Sequence, residues 1–352
     1  MREKKEKGRG KMGLIKGNPR RARCRHVPMY RIILLLLLVA FFTSGCSKPK
    51  LHKVGILCGL EYVAIIADAF LEKMSELGYV EGENIFYFQR RLDFDMEEYR
   101  RVLREFVNNK VDVILVFPTE ASMEAKQITE GTGIPVVFTF SNIEGTGLVK
   151  SIREPGGNIT GVRYPGPDIA AKRLELVMEL VPGVKSILIP YQRDYPIVVH
   201  QMEMIAPVAK KSGITLIEAP AANAEEIEAI LAAYEKDGAP PFDAIMFVAE
   251  PLTVTPEPFV ALTRFALKHK IPIGGALMTV GEYSSIFGVN ADLVTTGEQA
   301  ALLVDKILNG TPAGSIPVIS SDITLEFNYK AAQEFGVEIS PELLRMAQVV
   351  IR

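Results

Sequence analysis

The sequence predicts an α/β protein with two Rossmann-like lobes, each built on a parallel sheet, and three crossings of the chain between them. Short runs of Val, Ile and Leu alternate with amphipathic stretches of helical length, a pattern typical of parallel sheets that helices cover on both faces. Pro155-Gly156-Gly157 interrupts this alternation near the middle of the chain, and the same pattern then starts again. A chain of 352 residues has room for two such units.

The first unit has the order βαβαβαβ. Its strands are almost wholly apolar, and its helices carry apolar side chains three or four residues apart, as Ile66, Phe70 and Met74 do in the first helix. Gly78 follows that helix as a stop signal. The predicted strands cover residues 52–57, 84–89, 111–117 and 135–140, and the predicted helices cover residues 61–77, 96–108 and 121–129.

A connecting strand at residues 158–164 leads into a second unit of similar size. Its predicted helices cover residues 168–180, 197–212, 224–236 and 258–269, and its predicted strands cover residues 186–190, 214–218, 244–248 and 271–274. The remaining predicted elements are a strand at 283–289, a long helix at 293–309, a strand at 322–327 and short helices near Ala331 and Leu343.

The long helix comes after the second unit is complete, so we expect it to pack on the first lobe. The chain then crosses between the lobes near residues 160, 288 and 318. The predicted first lobe consists of residues 52–160 and 290–317, and the predicted second lobe consists of residues 163–287 and 319–352. The predicted hinge residues are Thr160, Gly161, Val162, Gly288 and Val289.

Residues 1–46 have the features of an export signal. An apolar run of eleven residues, 32–42, follows a basic stretch, whereas a membrane-spanning helix needs about 20 apolar residues. Thr-Ser-Gly before Cys46 resembles a bacterial lipobox, which implies cleavage before Cys46 and a diacylglyceryl group on its thiol. An uncleaved anchor and secretion without a lipid are the alternatives. Because a compact signal begins at Met29, we expect translation to start there and residues 1–28 not to belong to the protein.

The chain after Arg31 is acidic, with 28 Lys and Arg against 40 Asp and Glu. Nucleic-acid binding needs a basic face, so this charge balance excludes a nucleic-acid partner. Cys58 is the one thiol after the lipobox, and no His or Cys spacing indicates a metal site. The sequence has no dinucleotide fingerprint, P-loop or Gly-x-Ser-x-Gly motif. We therefore predict a protein without a cofactor that is not an enzyme.

Five stretches resemble the ABC transporter substrate-binding protein family, whose best-known members bind tryptophan and other aromatic amino acids. They are residues 77–85 (LGYVEGENI), 134–139 (IPVVFT), 147–151 (GLVKS), 155–162 (PGGNITGV) and 328–332 (NYKAA). The resemblance covers residues 52–352 and implies the type I periplasmic-binding fold. Family members usually have Gly-Thr-Pro where this chain has Phe117-Pro118-Thr119, and many carry an acidic residue near Gly275 that this chain lacks.

Ligands of open α/β sheets bind beyond the carboxyl ends of the strands, so the residues that follow the strands are the candidates. The candidate ligand-binding residues are Tyr62, Thr119, Ala121, Ser122, Phe140, Ser141 and Asn142 in the first lobe, and Tyr191, Glu250, Gly275 and Ala276 in the second. The helix that opens near Thr119 offers free N–H groups to a ligand carboxylate, and the resemblance implies the same role for its hydroxyl residues. A plain N-cap is the alternative for Thr119. Glu250 is either the partner of a ligand ammonium or a solvated loop residue.

The sequence therefore predicts a lipid-anchored, extracytoplasmic solute-binding protein. It captures a small molecule, such as an amino acid or a related carboxylate, and delivers it to an ABC permease and its ATPase. The mechanism is closure of the lobes about the crossings, with the ligand stabilising the closed state. The lipid on Cys46 holds the protein to the membrane, in the periplasm or at the cell surface. The alternatives are a ligand-sensing lipoprotein that partners a membrane receptor and, less favoured, an enzyme.

Overall fold

The computed structural model describes residues 50–236 and 238–352. The predicted export signal, with Met29 and Cys46, lies outside these described residues. The strands are β1 (His52–Cys58), β2 (Ile85–Arg91), β3 (Val113–Phe117), β4 (Val136–Ser141), β5 (Ile159–Arg163), β6 (Ser186–Gln192), β7 (Thr215–Ala221), β8 (Ala244–Met246), β9 (Ile273–Gly274), β10 (Thr279–Val280), β11 (Tyr283–Ser284), β12 (Phe287–Ala291), β13 (Ile319–Ser320), β14 (Ile323–Asn328) and β15 (Val349–Ile351).

The helices are α1 (Ile65–Glu76), α2 (Met96–Asn108), α3 (Thr119–Thr129), α4 (Gly166–Leu180), α5 (Ile197–Lys211), α6 (Ala224–Lys236), α7 (Pro256–His269), α8 (Leu293–Leu308), α9 (Tyr329–Phe335) and α10 (Pro341–Met346). Short 3-10 helices lie at Glu61–Val63, Leu252–Val254 and Ala313–Ser315. None of the helices within the described ranges is long and apolar enough to cross a membrane.

The first lobe is built on a six-stranded sheet with the order β13-β5-β4-β3-β1-β2. Every strand pair in it is parallel, which is why its central strands are apolar on both faces. Helices α1 and α8 cover one face, with Phe70 and Val304 in the shared core. Helices α2 and α3 cover the other face, with Leu103 and Ala125 buried there.

The long helix α8 lies directly against α1 in this first lobe. Gly297 permits this close packing, because a Cβ on it would lie 2.4 Å from the carbonyl oxygen of Ile66. Asp292 begins the helix, and its carboxylate accepts hydrogen bonds from the N–H groups of Val294 and Thr295.

The second lobe contains a parallel sheet with the order β7-β6-β8-β9. A bridge between Gly275 and Gly288 joins β9 to a three-stranded sheet, β12-β14-β15. The β12–β14 pair is antiparallel, which differs from the expectation of purely parallel sheets. The single strand predicted at 283–289 is also wrong. The segment is divided into β11 and β12 at Ser285, whose hydroxyl donates to the carbonyl oxygen of Ala276.

The chain passes between the sheets at three places. It leaves the first sheet after Arg163, returns with α8, and leaves again after Ser320. Backbone hydrogen bonds join these segments, from Ser321 N–H to the Arg163 carbonyl and from Asp292 N–H to the Asp322 carbonyl. The residue borders predicted for the two lobes stay a prediction.

Candidate functional site

Tyr62 lies on the first lobe, in the 3-10 helix that follows β1. Burial by the surrounding protein raises the pKa of its phenol, the charge of Glu326 raises it further, and Arg173 lowers it. The residue is nevertheless 78% exposed, so its ring is available to contact a ligand. This segment follows the carboxyl end of β1, the edge at which open α/β sheets bind ligands, and we place the cleft of the candidate site there.

The structure brings together the hydroxyl residues predicted near the start of α3. Ser122 Oγ lies 2.8 Å from both the carbonyl oxygen of Pro118 and Ser141 Oγ. Ser141 Oγ is also 2.8 Å from the Thr139 carbonyl oxygen. These three contacts share two hydroxyl protons, so both protons have acceptors within the protein. Ser122 and Ser141 are completely buried, as is Ala121, so the structure places these three predicted residues inside the lobe.

Thr119 and Asn142 connect the two loops at this edge of the sheet. Thr119 Oγ1 accepts a hydrogen bond of 3.1 Å from the N–H of Asn142. The side-chain oxygen of Asn142 is buried without a hydrogen-bond donor among the described residues. It rests beside Gly166, the first residue of α4, where the chain has already left the first sheet.

Phe140 has a strained backbone at the end of β4. Its φ is +47°, a value that bulky residues rarely adopt, and the pairing with β5 shifts register at this point. The strain turns the half-buried ring against Tyr164, with ring centres 5.0 Å apart in an edge-to-face arrangement. Strain of this kind is common in binding sites, and it favours Phe140 as a ligand contact.

Glu250 has a structural role in the described residues. Its carboxylate is buried and accepts hydrogen bonds from the N–H groups of Gln192, Leu252 and Thr253, at 2.9, 2.8 and 2.8 Å. The Thr253 hydroxyl also donates to it. The carboxylate thus fixes the loop after β8 to the end of β6, and the alternative of a solvated loop residue is wrong. Binding of a ligand ammonium by Glu250 stays a prediction.

Tyr191 is held by the neighbouring strand. Its hydroxyl donates to Glu218 on β7 at 2.6 Å. Burial, this hydrogen bond and the carboxylate charge together raise the pKa of Tyr191 to about 12. Tyr195, nearby, is half-buried and packs against the core of the second lobe. Burial raises the pKa of its phenol, and the charges of Glu120 and Glu250 raise it further.

Gly275 and Ala276 lie where β9 is joined to β12. Gly275 donates to the Phe287 carbonyl and accepts from Val289 N–H, each at 2.9 Å. A Cβ on Gly275 would lie 2.5 Å from the carbonyl oxygen of Phe247, so the position is filled by backbone. The half-buried Ala276 packs against the core of the second lobe.

The predicted hinge residues lie within strands. Thr160 is buried and donates from its hydroxyl to the Ile316 carbonyl at 2.7 Å, while Gly161 packs against Phe138. Val162 pairs with β13. Gly288 and Val289 lie in β12, paired with β14.

Arg163 follows the predicted hinge residues of β5, and its side chain links the segments that meet at this crossing. Its guanidinium bonds to Glu144 and Asp168, each at 2.6 Å, and to Ser320 at 2.9 Å.

Sequence reasoning missed Arg173, a guanidinium that is only 2% exposed. It donates to the carbonyl oxygens of Val289 and Phe247 and to the Asn290 side chain. Desolvation lowers its pKa, although the charges of nearby acidic groups oppose this effect. The available signal was its position on α4, where Ile169 and Val177, four residues away on either side, are both buried.

Sequence reasoning also missed Glu120, in the first turn of α3. Its carboxyl is half-buried, and burial raises its pKa. Within residues 50–236 and 238–352, no group of three or more His, Cys, Asp or Glu side chains is arranged to hold a metal ion.

Comparisons with known proteins agree with this architecture. The model of the family described as ABC transporter substrate binding protein matches residues 53–351. A tyrosine-binding protein from Clostridioides difficile (strain R20291) is 27% identical over 283 residues, which are 79% of each chain. The crystal structure of a conserved domain protein from Vibrio cholerae O1 biovar El Tor is 26% identical, with a TM-score of 0.71, and covers 86% of this chain and 100% of that chain.

A Streptococcus pneumoniae ABC domain, solved in complex with L-Trp, is 24% identical and has a TM-score of 0.72 over 86% of this chain and 100% of that chain. The predicted family and the two-lobed α/β fold are therefore confirmed. The family consists of substrate-binding proteins and not of enzymes. This chain belongs to the ABC transporter substrate-binding protein family and has the type I periplasmic-binding fold.

Proposed function

We propose that the protein captures an aromatic amino acid in the cleft between its lobes and delivers it to an ABC permease and its ATPase. The observation that carries this proposal is the set of aromatic side chains around the cleft. Tyr62 and Phe140 come from the first lobe, Tyr164 follows the first crossing, and Tyr195 comes from the second lobe. Aromatic rings stack favourably on one another, so each of these side chains is a candidate partner for a ligand ring. The name of the Clostridioides difficile relative supports the same ligand class.

The mechanism follows from the three crossings. A ligand that contacts both lobes stabilises the closed arrangement relative to the open one. Tyr62 lies in the first lobe and Tyr195 in the second, so a ligand held by both would favour the closed state. No bond in the ligand needs to break, and release follows when the permease favours the open state.

A thermal unfolding screen of residues 47–352 against the twenty amino acids tests the ligand class. A ligand present at 100 times its Kd stabilises the folded state by about 2.7 kcal/mol. We expect tyrosine, tryptophan or phenylalanine to raise the midpoint most. Isothermal titration then gives the affinities, and stabilisation by sugars alone contradicts the proposed ligand class.

We also propose that a lipid on Cys46 holds the protein at the outer side of the membrane. The support is the apolar run 32–42 followed by Thr-Ser-Gly before Cys46. Cys46→Ala is expected to abolish incorporation of labelled fatty acid and to release the protein from the membrane fraction. Retention of label in this variant contradicts the assignment. Loss of amino-acid uptake in cells that lack this chain tests the delivery step, and unchanged uptake favours the sensing alternative.

A further inference from the structure

The two lobes touch outside the three crossings, where His200 on α5 lies against Gly145. Gly145 lies in the loop after β4, and Leu148 of this loop is buried in the core of the first lobe. Helix α5 belongs to the second lobe, where Val198 and Ile205 are buried in the core. A Cβ on Gly145 would lie 2.3 Å from His200 Nε2, closer than real Cβ atoms approach. The imidazole therefore packs directly on the backbone of the other lobe.

The loop that carries Gly145 is fixed on the first lobe. The Thr146 hydroxyl donates to the Ile143 carbonyl at 3.1 Å and accepts from the N–H of Leu148 at 3.2 Å. The carboxylate of Glu144 binds the Arg163 guanidinium at the first crossing, at 2.6 Å. These bonds restrain the backbone on both sides of Gly145, so the glycine moves with the first lobe.

The helix that carries His200 is fixed on the second lobe, to the loop that follows β8. Gln201 is completely buried, and its amide donates to the Ala249 carbonyl and accepts from the Ala249 N–H, each at 2.8 Å. The next residue, Glu250, joins the same loop to the end of β6. The contact of 3.1 Å between His200 Nδ1 and Glu203 Oε2 holds the ring in its orientation. A loop of the candidate site thus moves with the helix that touches the first lobe.

We infer that the contact between Gly145 and His200 sets the limit of lobe closure, and that the closed arrangement forms because residue 145 is glycine. Both residues act on a ligand only through the spacing of the lobes, so they are positioning residues. The assignment rests on the lobe closure of the proposed function and deepens it, because the limit of closure sets the width of the cleft. Closely packed contacts of this kind respond to the addition of a single side chain.

Gly145→Asn tests the assignment. Gly145 has a φ of +69°, and asparagine tolerates this left-handed conformation better than most residues with a side chain. The asparagine side chain extends beyond Cβ, so a small turn of the imidazole does not make room for it. Gly147→Asn is the matched control. Gly147 has a φ of +66° in the same loop, and no atom of the described residues other than its chain neighbours lies within 4 Å of a Cβ built there.

Spin labels at Asp93→Cys and Ala222→Cys in residues 47–352 measure the opening of the lobes. Both positions are exposed and follow β2 and β7. Strand β2 is the edge of the first sheet opposite β5 and β13, and β7 is the edge of the second sheet opposite β9. These edges are remote from the crossings, so the distance between the labels changes strongly when the lobes open. The natural Cys58 is buried, which keeps it from taking a label.

We expect Gly145→Asn to lengthen the distance between the labels, both without ligand and with L-tyrosine. In isothermal titration it should weaken L-tyrosine binding about 10- to 100-fold, the effect of overpacking the contact. Gly147→Asn should match the labelled parent protein in both measurements. His200→Ala removes the ring, so the double variant Gly145→Asn/His200→Ala should regain most of the shorter distance.

The outcomes separate this assignment from the proposed function. Equal label distances in Gly145→Asn and Gly147→Asn under both conditions, or no recovery in the double variant, overturn the assignment. The proposed function stands in that case if L-tyrosine binds the wild type. If the wild type binds none of tyrosine, tryptophan and phenylalanine, but Gly145→Asn alone lengthens the distance, the proposed function fails and the limit of closure remains.

Discussion

Asn142 and Gly166 are in contact across the boundary between the lobes, and the contact is possible only because residue 166 has no side chain. A Cβ on Gly166 would lie 2.8 Å from Asn142 Oδ1, closer than real Cβ atoms approach. The two residues also connect two parts of the candidate site, since Asn142 bonds to Thr119 and Gly166 begins α4.

Gly166→Ala is therefore expected to prevent the present spacing of the lobes. Overpacking a contact of this kind costs about 1–3 kcal/mol, so ligand affinity should fall roughly 10- to 100-fold. Isothermal titration with L-tyrosine measures the loss. Asn142→Ala removes the opposing atom, and the double variant should regain part of the affinity lost by Gly166→Ala. If the two effects are simply additive, the contact does not limit closure.

Glu250→Ala is expected to destabilise the fold of the second lobe. The substitution leaves the buried N–H groups of Leu252 and Thr253 and the partly buried N–H of Gln192 without their acceptor. An unsatisfied buried donor costs about 1–3 kcal/mol, and the total should be smaller than three times this value because the loop can relax. Urea unfolding measures the change. A variant of unaltered stability and weakened affinity would contradict this structural role and support Glu250 as a ligand contact.

Arg173→Met should also lower the free energy of unfolding. Methionine has a similar length but no donor, so the carbonyls of Val289 and Phe247 lose their partner. Each buried carbonyl left unsatisfied costs about 1–3 kcal/mol. Arg345→Met is a suitable control, because among the described residues Arg345 pairs only with the exposed Glu342. Equal unfolding midpoints in urea for the two variants would contradict a structural role for Arg173.

Glu120→Gln is expected to stabilise the unliganded protein at pH 7. Burial raises the pKa of Glu120 in the folded state, so the folded protein holds this proton more tightly than the unfolded chain does. Stability from this group is therefore highest at acidic pH, and it falls as the pH rises from the unfolded value, about 4.3, through the raised folded value. The advantage of the variant should disappear below about pH 4. Urea unfolding of both proteins at pH 4 and pH 7 measures the stability difference between variant and wild type. An equal difference at the two pH values would contradict a raised pKa of Glu120 in the folded state.

Much of the fold follows from local pattern. Continuous apolar runs identify β1, β3 and β4, and spaced apolar positions identify α1 and α2, because each pattern is complete within one element. The antiparallel β12–β14 pair was missed because strand direction depends on a partner more than thirty residues away along the chain. The short strand β15 follows the last helix. It was not predicted because its strand conformation depends on pairing with β14.

Those parts of the candidate site that depend only on where strands end could be predicted from the sequence. Tyr62 and Asn142 follow strands, and Phe140 lies at the end of one. The roles of Glu120 and Glu250 were not predictable, because they depend on which charges and N–H groups other segments bring nearby. Glu250 is surrounded by donors, whereas Glu120 has none from side chains among the described residues.

The hydrogen bonds that join the three crossings have a consequence for binding thermodynamics. The segments beyond Arg163, before Asp292 and at Ser321 are connected side by side instead of being independent tethers. We expect segments bonded in this way to bend together, which would restrict the relative motion of the lobes mainly to rotation about one axis. Little conformational entropy is then lost when a ligand arrests that motion. A larger share of the contact free energy remains as affinity, which suits a receptor that must collect a dilute solute.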